Sequence, residues 1–177
     1  MPLRLHSLLC LALLSAFVLT GCSQTKSARL EFQMGEKIPV GPLTYDIVQT
    51  SWKTQLGQAF QVRFPQNRFL LIDISVTNGG GSDISVPLFN LEDANGKTYP
   101  EASNGDGVDG WFGLLRTISP AQTQQGRLVF DAPLTSYKLR ITDGGGPGEE
   151  KFAWVQIPLR MDVDTTVQSP TPGTPVQ

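Results

Sequence analysis

Residues 69–77 constrain the fold more than any other segment, because an apolar residue recurs at every second position and the later ones alternate with Asp73, Ser75 and Thr77. Successive side chains of a β-strand point to opposite faces of a sheet, so this alternation predicts a half-buried strand. The apolar side consists of Leu70, Ile72, Ile74 and Val76. The run Asn-Gly-Gly-Gly at 78–81 then ends the strand with residues that tolerate the backbone of a turn.

Shorter segments of the same kind fill most of the region 29–161. We predict further strands at residues 29–34, 60–64, 88–91, 97–99, 126–130, 137–142 and 152–159. Asn95 and Gly96 suit a tight hairpin turn between two of them. No stretch of ten or more residues shows the 3.6-residue period of a helix. Many short strands separated by turn signals predict an all-β, antiparallel sandwich in a single domain, residues 29–161.

The chain begins with a leader that has the features of a secretory signal. Residues 8–19 are almost all apolar, which suits a signal core but falls short of the roughly 20 residues of a membrane span. The leader ends in Leu-Thr-Gly-Cys at 19–22, which resembles the lipobox of bacterial lipoproteins. The resemblance implies that residues 1–21 are removed and that Cys22 is acylated on its thiol and its new amino group. The alternative is that Cys22 follows an ordinary secretory signal peptide by chance and carries no lipid.

A lipidated Cys22 would fix the protein in the bacterial cell envelope. Each buried methylene contributes about 0.8 kcal/mol and one myristoyl chain binds only marginally, so three acyl chains would give a permanent membrane anchor. Ser23 follows the cysteine, and the enterobacterial sorting rule then favours the outer membrane. Residues 22–28 form a polar tether, and six extended residues span only about 20 Å, which keeps the domain close to the membrane. The Pro- and Thr-rich residues 162–177 predict a disordered tail.

Cysteine and histidine counts exclude most catalytic chemistry. Cys10 and His6 lie in the leader and Cys22 would carry lipid, so the remaining domain has no free thiol, disulfide or histidine. This excludes Ser-His-Asp triads, cysteine nucleophiles and zinc or copper sites built on His or Cys. Without Arg4 the chain has 13 basic and 16 acidic residues, a net charge of −3, and no basic patch for nucleic acid. We therefore predict no enzymatic activity, no catalytic residue and no cofactor.

Several segments together carry a family resemblance. They read RFLLIDISVTN at 68–78, FNLEDANGKTY at 89–99, ISP at 118–120 and GRLVFDAP at 126–133. Their order and spacing resemble the telokin-like bacterial domain family of unknown function, related to the mycobacterial immunoprotective extracellular antigens. The resemblance implies an immunoglobulin-like β-sandwich that is secreted or lipid-anchored, with no established enzymatic activity. The glycine that usually follows the proline is replaced here by Ala121.

The Asp- and Gly-rich residues 104–110 offer a weak likeness to a calcium-binding loop. Such loops need oxygen ligands at regular spacing, and here Val108 occupies the third ligand position. Clusters of Asp, Asn and Gly also form ordinary turns. The sequence therefore favours a flexible loop, and we predict no metal site.

Trp111 and Phe112 follow that loop and are our candidate interaction surface. Aromatic side chains are concentrated at the hot spots of protein interfaces. The alternative is that the loop folds back and both rings cap one end of the sandwich core. Trp52 and Trp154 lie in strand-like stretches, where we expect burial.

The sequence is compatible with three functions. An anchored all-β domain without a catalytic constellation favours an envelope lipoprotein whose sandwich is a non-catalytic module for binding an envelope protein. A second possibility is a small-ligand or glycan binder that uses Trp111 and Phe112. A carboxylate-dependent enzyme is the third.

Overall fold

The computed structural model describes residues 30–58 and 60–160. This part of the chain forms strands connected by turns and loops. The strands are β1 (Leu30–Gln33), β2 (Ile38–Val40), β3 (Leu43–Lys53), β4 (Arg68–Asn78), β5 (Ile84–Ser85), β6 (Asn90–Glu92), β7 (Thr98–Pro100), β8 (Thr117–Ile118), β9 (Thr123–Ala132), β10 (Tyr137–Thr142) and β11 (Phe152–Ile157). The predicted signal peptide (1–21), the anchor Cys22, the tether (22–28) and the tail (162–177) lie outside the described residues.

Two sheets pack face to face. The five-stranded sheet has the order β1-β11-β10-β6-β7, the four-stranded sheet has the order β2-β3-β4-β9, and β5 and β8 form a small separate ladder. The neighbouring strands are antiparallel with one difference from the prediction, since β1 runs parallel to β11. The immunoglobulin-like all-β sandwich is thus confirmed, with a parallel pair at one edge. Because β1 and β11 are parallel, the described chain enters the sandwich at one end and leaves it at the other.

The main core lies between the two sheets. The apolar side of β4 faces it as the alternation predicts, with Leu70, Ile72, Ile74 and Val76 buried. Tyr45 crosses the core from β3, where its hydroxyl donates to the Thr142 carbonyl at 2.9 Å and its ring meets Phe89 edge-on. Burial of each large aliphatic side chain stabilises a fold by roughly 1.5–3 kcal/mol. Trp154 is buried, as expected, whereas Trp52 is half-buried against this core.

A second apolar cluster lies on the opposite face of the four-stranded sheet. We call it the outer cluster, and its buried members are Leu56, Phe69, Leu71 and Val129. Ala102, Val108 and Trp111 pack against it. The first residues of β4 are therefore apolar on both faces of the sheet. The described parts of the β3–β4 loop (54–58 and 60–67) and the segment after β7 (101–112) cover the outer cluster and shield it from water.

The prediction of a strand at residues 60–64 is wrong. These residues belong to the β3–β4 loop, in which Arg63 forms a single antiparallel bridge with Leu56. Phe60 and Phe64 are 104% and 72% exposed, so this segment does not turn its aromatic side towards a core. The Arg63 guanidinium instead lies inward, 5.0 Å from the centroid of the Phe69 ring. The aromatic face of Phe69 attracts this cation, and the bridge to Leu56 fixes the loop in that orientation.

A turn at residues 119–122 holds the end of β4. Ala121 has a φ of 61°, a left-handed backbone that normally requires glycine. Its N–H donates to the Asn78 carbonyl at 2.9 Å, and the Gln122 N–H donates to the Ser119 carbonyl at 3.1 Å. Asn78 is fully buried, and its side-chain amide donates to the carbonyls of Ser82 and Ile118. These bonds explain why the chain keeps an unfavourable conformation at Ala121.

Candidate functional site

The structure separates the two aromatic residues of the candidate interaction surface. Residues 110–112 run beside β9, where the Arg127 N–H donates to the Gly110 carbonyl and the Phe112 N–H donates to the Arg127 carbonyl. Neighbouring residues of an extended segment point to opposite sides. Phe112 therefore enters the main core and is only 3% exposed, so it cannot form part of a surface. This corrects the prediction of a paired aromatic surface.

Trp111 faces the opposite way and packs half-buried against the outer cluster. The backbone of Gly105 lies directly on its ring, and a Cβ at that position would overlap the ring atoms. Of the two predicted residues, only Trp111 keeps an exposed portion. The alternative in which both rings cap one end of the core holds for Phe112 alone.

The loop at residues 104–110 is packed and internally hydrogen-bonded. The Asp106 N–H donates to Asn104 Oδ1 at 2.6 Å, while Asn104 Nδ2 donates to Asp106 Oδ2 at 2.9 Å. Gly107 lies against the backbone of Gly57 in the β3–β4 loop, with no room for a side chain. Across residues 30–58 and 60–160, no group of three or more acidic, His or Cys side chains is arranged to hold a metal ion. The polar groups of this loop instead hold it in shape.

The β3–β4 loop is fixed to its neighbours by Arg63. Its Nη1 donates to the Asn104 carbonyl at 2.8 Å, which ties the loop to the segment after β7. Backbone hydrogen bonds of 2.8 and 2.9 Å join Arg63 and Leu56 in both directions. The loop thus has fixed contacts on both sides, yet it directs Phe60 and Phe64 into solvent.

An open groove crosses the outer face of the four-stranded sheet next to the outer cluster. It consists of two adjoining cavities of about 530 and 510 Å³, both bordered by Asp109 and Arg127. Arg127 Nε donates to Asp73 Oδ1 at 2.7 Å, so the charges of this pair offset each other. Lys53 and Asp109 add one charge of each sign to the lining. Much of the remaining polar lining consists of glutamine side chains, namely Gln55, Gln58, Gln61 and Gln125. The groove can therefore offer hydrogen bonds to an uncharged polar molecule.

A buried ion pair lies beneath these loops. Arg116 Nη2 donates to Glu101 Oε1, and neither side chain is accessible to solvent. Burial raises the pKa of Glu101, an effect that the neighbouring Arg116 charge opposes. The pair connects the segment after β7 to the segment before β8. Sequence reasoning missed it, because two opposite charges separated by a Gly-rich loop carry no signal of contact.

Solved structures of low sequence identity share this fold. The YjhA protein of Bacillus subtilis is 16% identical over 71% of this chain and 98% of its own, with a TM-score of 0.52. The secreted protein MPT63 of Mycobacterium tuberculosis is 17% identical over 73% of this chain and 98% of its own, with a TM-score of 0.53. YcdA of B. subtilis, a candidate lipoprotein, is 17% identical over 70% of this chain and 38% of its own, with a TM-score of 0.55. Such identities establish similarity of fold alone.

No curated protein matches this chain in sequence. A family model does match residues 32–151, which include most of the sandwich. That family is described as a domain of unknown function (DUF4352), which agrees with the resemblance in its lack of an assigned activity. The chain therefore belongs to the DUF4352 family of domains of unknown function.

Proposed function

We propose that this protein is a lipid-anchored protein of the bacterial cell envelope whose sandwich is a non-catalytic module for binding another protein. The observation that carries the proposal is the exposure of Phe60 and Phe64 on the fixed β3–β4 loop. Aromatic rings contribute much of the binding energy at protein interfaces. Because Arg63 already holds the loop in place, a partner would bind it with little cost in ordering.

The anchor at Cys22 comes from the lipobox and stands as part of the proposal. A candidate lipoprotein among proteins of similar fold supports it. In the described part of the chain, no helix has the length and apolar character needed to cross a bilayer. The anchored end would be the end at which β1 begins. Cys22 precedes Leu30 by eight residues, a reach of at most about 28 Å.

Removal of the two exposed rings tests the binding function. The full chain is expressed in its own host with Phe60→Ser and Phe64→Ser together, the envelope is crosslinked, and co-purified proteins are quantified. We expect the double variant to lose at least 90% of a reproducible partner, because the rings would be the contact points. Leu115→Ser is the matched control, since Leu115 is 101% exposed on a different loop. Recovery of the same proteins with the double variant would refute the proposal.

Mass spectrometry of the membrane-extracted protein tests the anchor separately. We expect the N-terminal residue to be Cys22 with the mass of three acyl chains. Cys22→Ser should abolish acylation and leave the leader uncleaved at residue 21. An unmodified Cys22 in the mature protein would exclude lipidation and leave the binding function to be judged on its own test.

The glutamine-lined groove supports binding of a small ligand or glycan as a second candidate function. Trp111 packs on the same outer cluster as Val108, which borders the groove, so its fluorescence should respond to an occupant. The test is a titration of a Trp52→Phe, Trp154→Phe variant with soluble envelope oligosaccharides. Absence of any fluorescence change at millimolar sugar would count against this function.

A further inference from the structure

One edge of the four-stranded sheet is open over half of a long strand. β3 pairs with β4 along its whole length, Leu43–Lys53. On its other edge β2 pairs only with residues 43–45, and the Gly35 N–H donates to the Ile47 carbonyl at 2.9 Å. Among the described residues, no backbone group bonds to that edge from residue 48 to residue 53. Alternate N–H and C=O groups of this stretch are therefore free to bond an added strand.

The other strand edges of the described sandwich are short or covered. β2 and β7 have three residues each and contain Pro39 and Pro100, which lack the N–H that an added strand needs. Residues 110–112 cover part of the edge of β9. Natural sheets protect their edges by such means. The register shift between Ile47 and Gln49 protects only the start of the open stretch, so residues 48–53 form the longest unpaired edge of the four-stranded sheet, with Thr50 its one buried side chain.

The side chains along this open edge suit a partner segment of mixed character. Val48 is 58% exposed and Trp52 is half-buried against the main core, so both offer apolar contacts. Lys53 is exposed and has no ion pair among the described residues. The edge thus matches an extended segment with apolar side chains toward Val48 and Trp52 and a carboxylate toward Lys53. The β3–β4 loop with Phe60 follows directly.

We propose that residues 48–53 bind an extended segment of a partner protein, which adds to the four-stranded sheet as a further strand beside β3. Main-chain hydrogen bonds would supply affinity in this mode, and the alternate side chains would supply specificity. The inference rests on the proposed protein-binding function and names the form of the partner. The open edge ends at Lys53, which borders the same cavity as Gln58 and Gln61 of the loop that carries Phe60 and Phe64.

A second copy of this chain fits the edge less well. Two identical edges related by a two-fold axis pair antiparallel, which points the N-terminal ends of the two domains in opposite directions. β3 alone has eleven residues and spans about 36 Å. The eight residues from Cys22 to Leu30 reach about 28 Å. Two copies whose strands run perpendicular to one membrane therefore cannot both be anchored in it when they pair in this way. A segment of a different protein has no such constraint.

Photo-crosslinking in the host envelope is the first part of the test. The full chain carries p-benzoylphenylalanine at Gln49 on the open edge, at Phe60 in the β3–β4 loop, or at the exposed Leu115 on a different loop. We expect one partner protein to crosslink at Gln49 and Phe60 but not at Leu115. Crosslinking at Phe60 without Gln49 overturns strand addition and leaves protein binding intact. Absence of crosslinks at both sites counts against both proposals, and a crosslink to a second copy overturns the choice of a different partner.

The second part uses a synthetic peptide of the crosslinked partner segment as the probe. Hydrogen exchange of the full chain with this peptide should slow at least tenfold at amides within residues 48–53. Val48→Lys places a charge on the edge and should weaken peptide binding at least tenfold, while the matched control Leu115→Lys should bind as the wild type does. Both residues are exposed, so neither change should alter the fold. Unchanged exchange in residues 48–53, or unchanged binding by Val48→Lys, overturns the inference.

Discussion

Arg116 and Glu101 form an ion pair that is closed to solvent on both sides. The Arg116 guanidinium lies between two aromatic rings, with its central carbon 5.3 Å from the centroid of Phe89 and 4.8 Å from that of Phe112. Its Nε donates to the Gly113 carbonyl, and the Phe89 N–H donates to Glu101 Oε2 at 3.4 Å. This arrangement fixes the segment that carries Trp111 and Phe112.

Removal of one charge from this pair should be strongly destabilising. Glu101→Gln leaves the Arg116 charge buried without a counter-ion, so we expect the free energy of unfolding to fall by about 3–5 kcal/mol. Urea unfolding followed by far-ultraviolet circular dichroism measures it. The double variant Glu101→Leu, Arg116→Met leaves no buried charge and should recover most of the loss. If the single variant lost less than about 1 kcal/mol, solvent would have to reach the pair.

Ala121→Gly should stabilise the protein. A left-handed backbone costs a residue with a Cβ about 1–2 kcal/mol, and the greater freedom of glycine in the unfolded chain offsets part of that gain. We expect a net increase of about 0.5–1 kcal/mol in the free energy of unfolding, measured by urea titration. Ala94→Gly is the control, because Ala94 is exposed in a turn and has no positive φ, so it should lose stability. Equal losses in both variants would contradict the strain at Ala121.

Gly105→Ala should displace Trp111. The added methyl group would overlap the indole ring, so either the ring or the loop must move. We expect a loss of about 1–3 kcal/mol in the free energy of unfolding and a changed Trp111 emission spectrum in a Trp52→Phe, Trp154→Phe background. Gly81→Ala is the control, because a Cβ at Gly81 meets no atom within 4 Å. An unchanged spectrum for Gly105→Ala would mean that the loop does not lie on the ring.

Alkaline pH should destabilise the fold through Tyr45. Burial, reinforced by Asp143, raises the pKa of the Tyr45 phenol above its ordinary value of about 10. Above pH 10 the unfolded chain therefore releases this proton while the folded chain keeps it. The contribution of Tyr45 to the free energy of unfolding is therefore complete below pH 10. Above pH 10 this contribution falls by about 1.4 kcal/mol per pH unit.

Unfolding titrations between pH 8 and 11 test this, with Tyr45→Phe for comparison. The variant loses the hydrogen bond to the Thr142 carbonyl and should be less stable at pH 8, by about 1 kcal/mol. Its stability should nevertheless fall less steeply above pH 10. Parallel pH profiles for the two proteins would show that Tyr45 does not titrate in the unfolding reaction.

Local patterns in the sequence account for much of the sandwich. The alternation in β4 indicated which residues face the core, and the prediction for β10 has the same bounds as the strand. Strand β3 was not predicted from the sequence, because its register shift at Ile47 and Gln49 breaks the alternation. The short strands β2, β5 and β8 depend on partners distant in sequence and carry no pattern of their own.

The candidate site depends on the tertiary structure. Alternation at residues 60–64 showed that the two phenylalanines share a side, but not that Arg63 lies inward and the rings outward. For Trp111 and Phe112, adjacency in sequence suggested a common surface, whereas pairing with β9 sends the rings to opposite faces.

The sequence by itself determined an all-β sandwich and excluded catalysis by cysteine or histidine within residues 23–177, which contain neither, because side-chain periodicity and composition are local properties. Only the tertiary structure decided which loops cover the outer cluster, which rings remain exposed and which edge of β3 stays open. Those features arise from contacts between residues far apart in the chain, and a local pattern contains no information on such contacts.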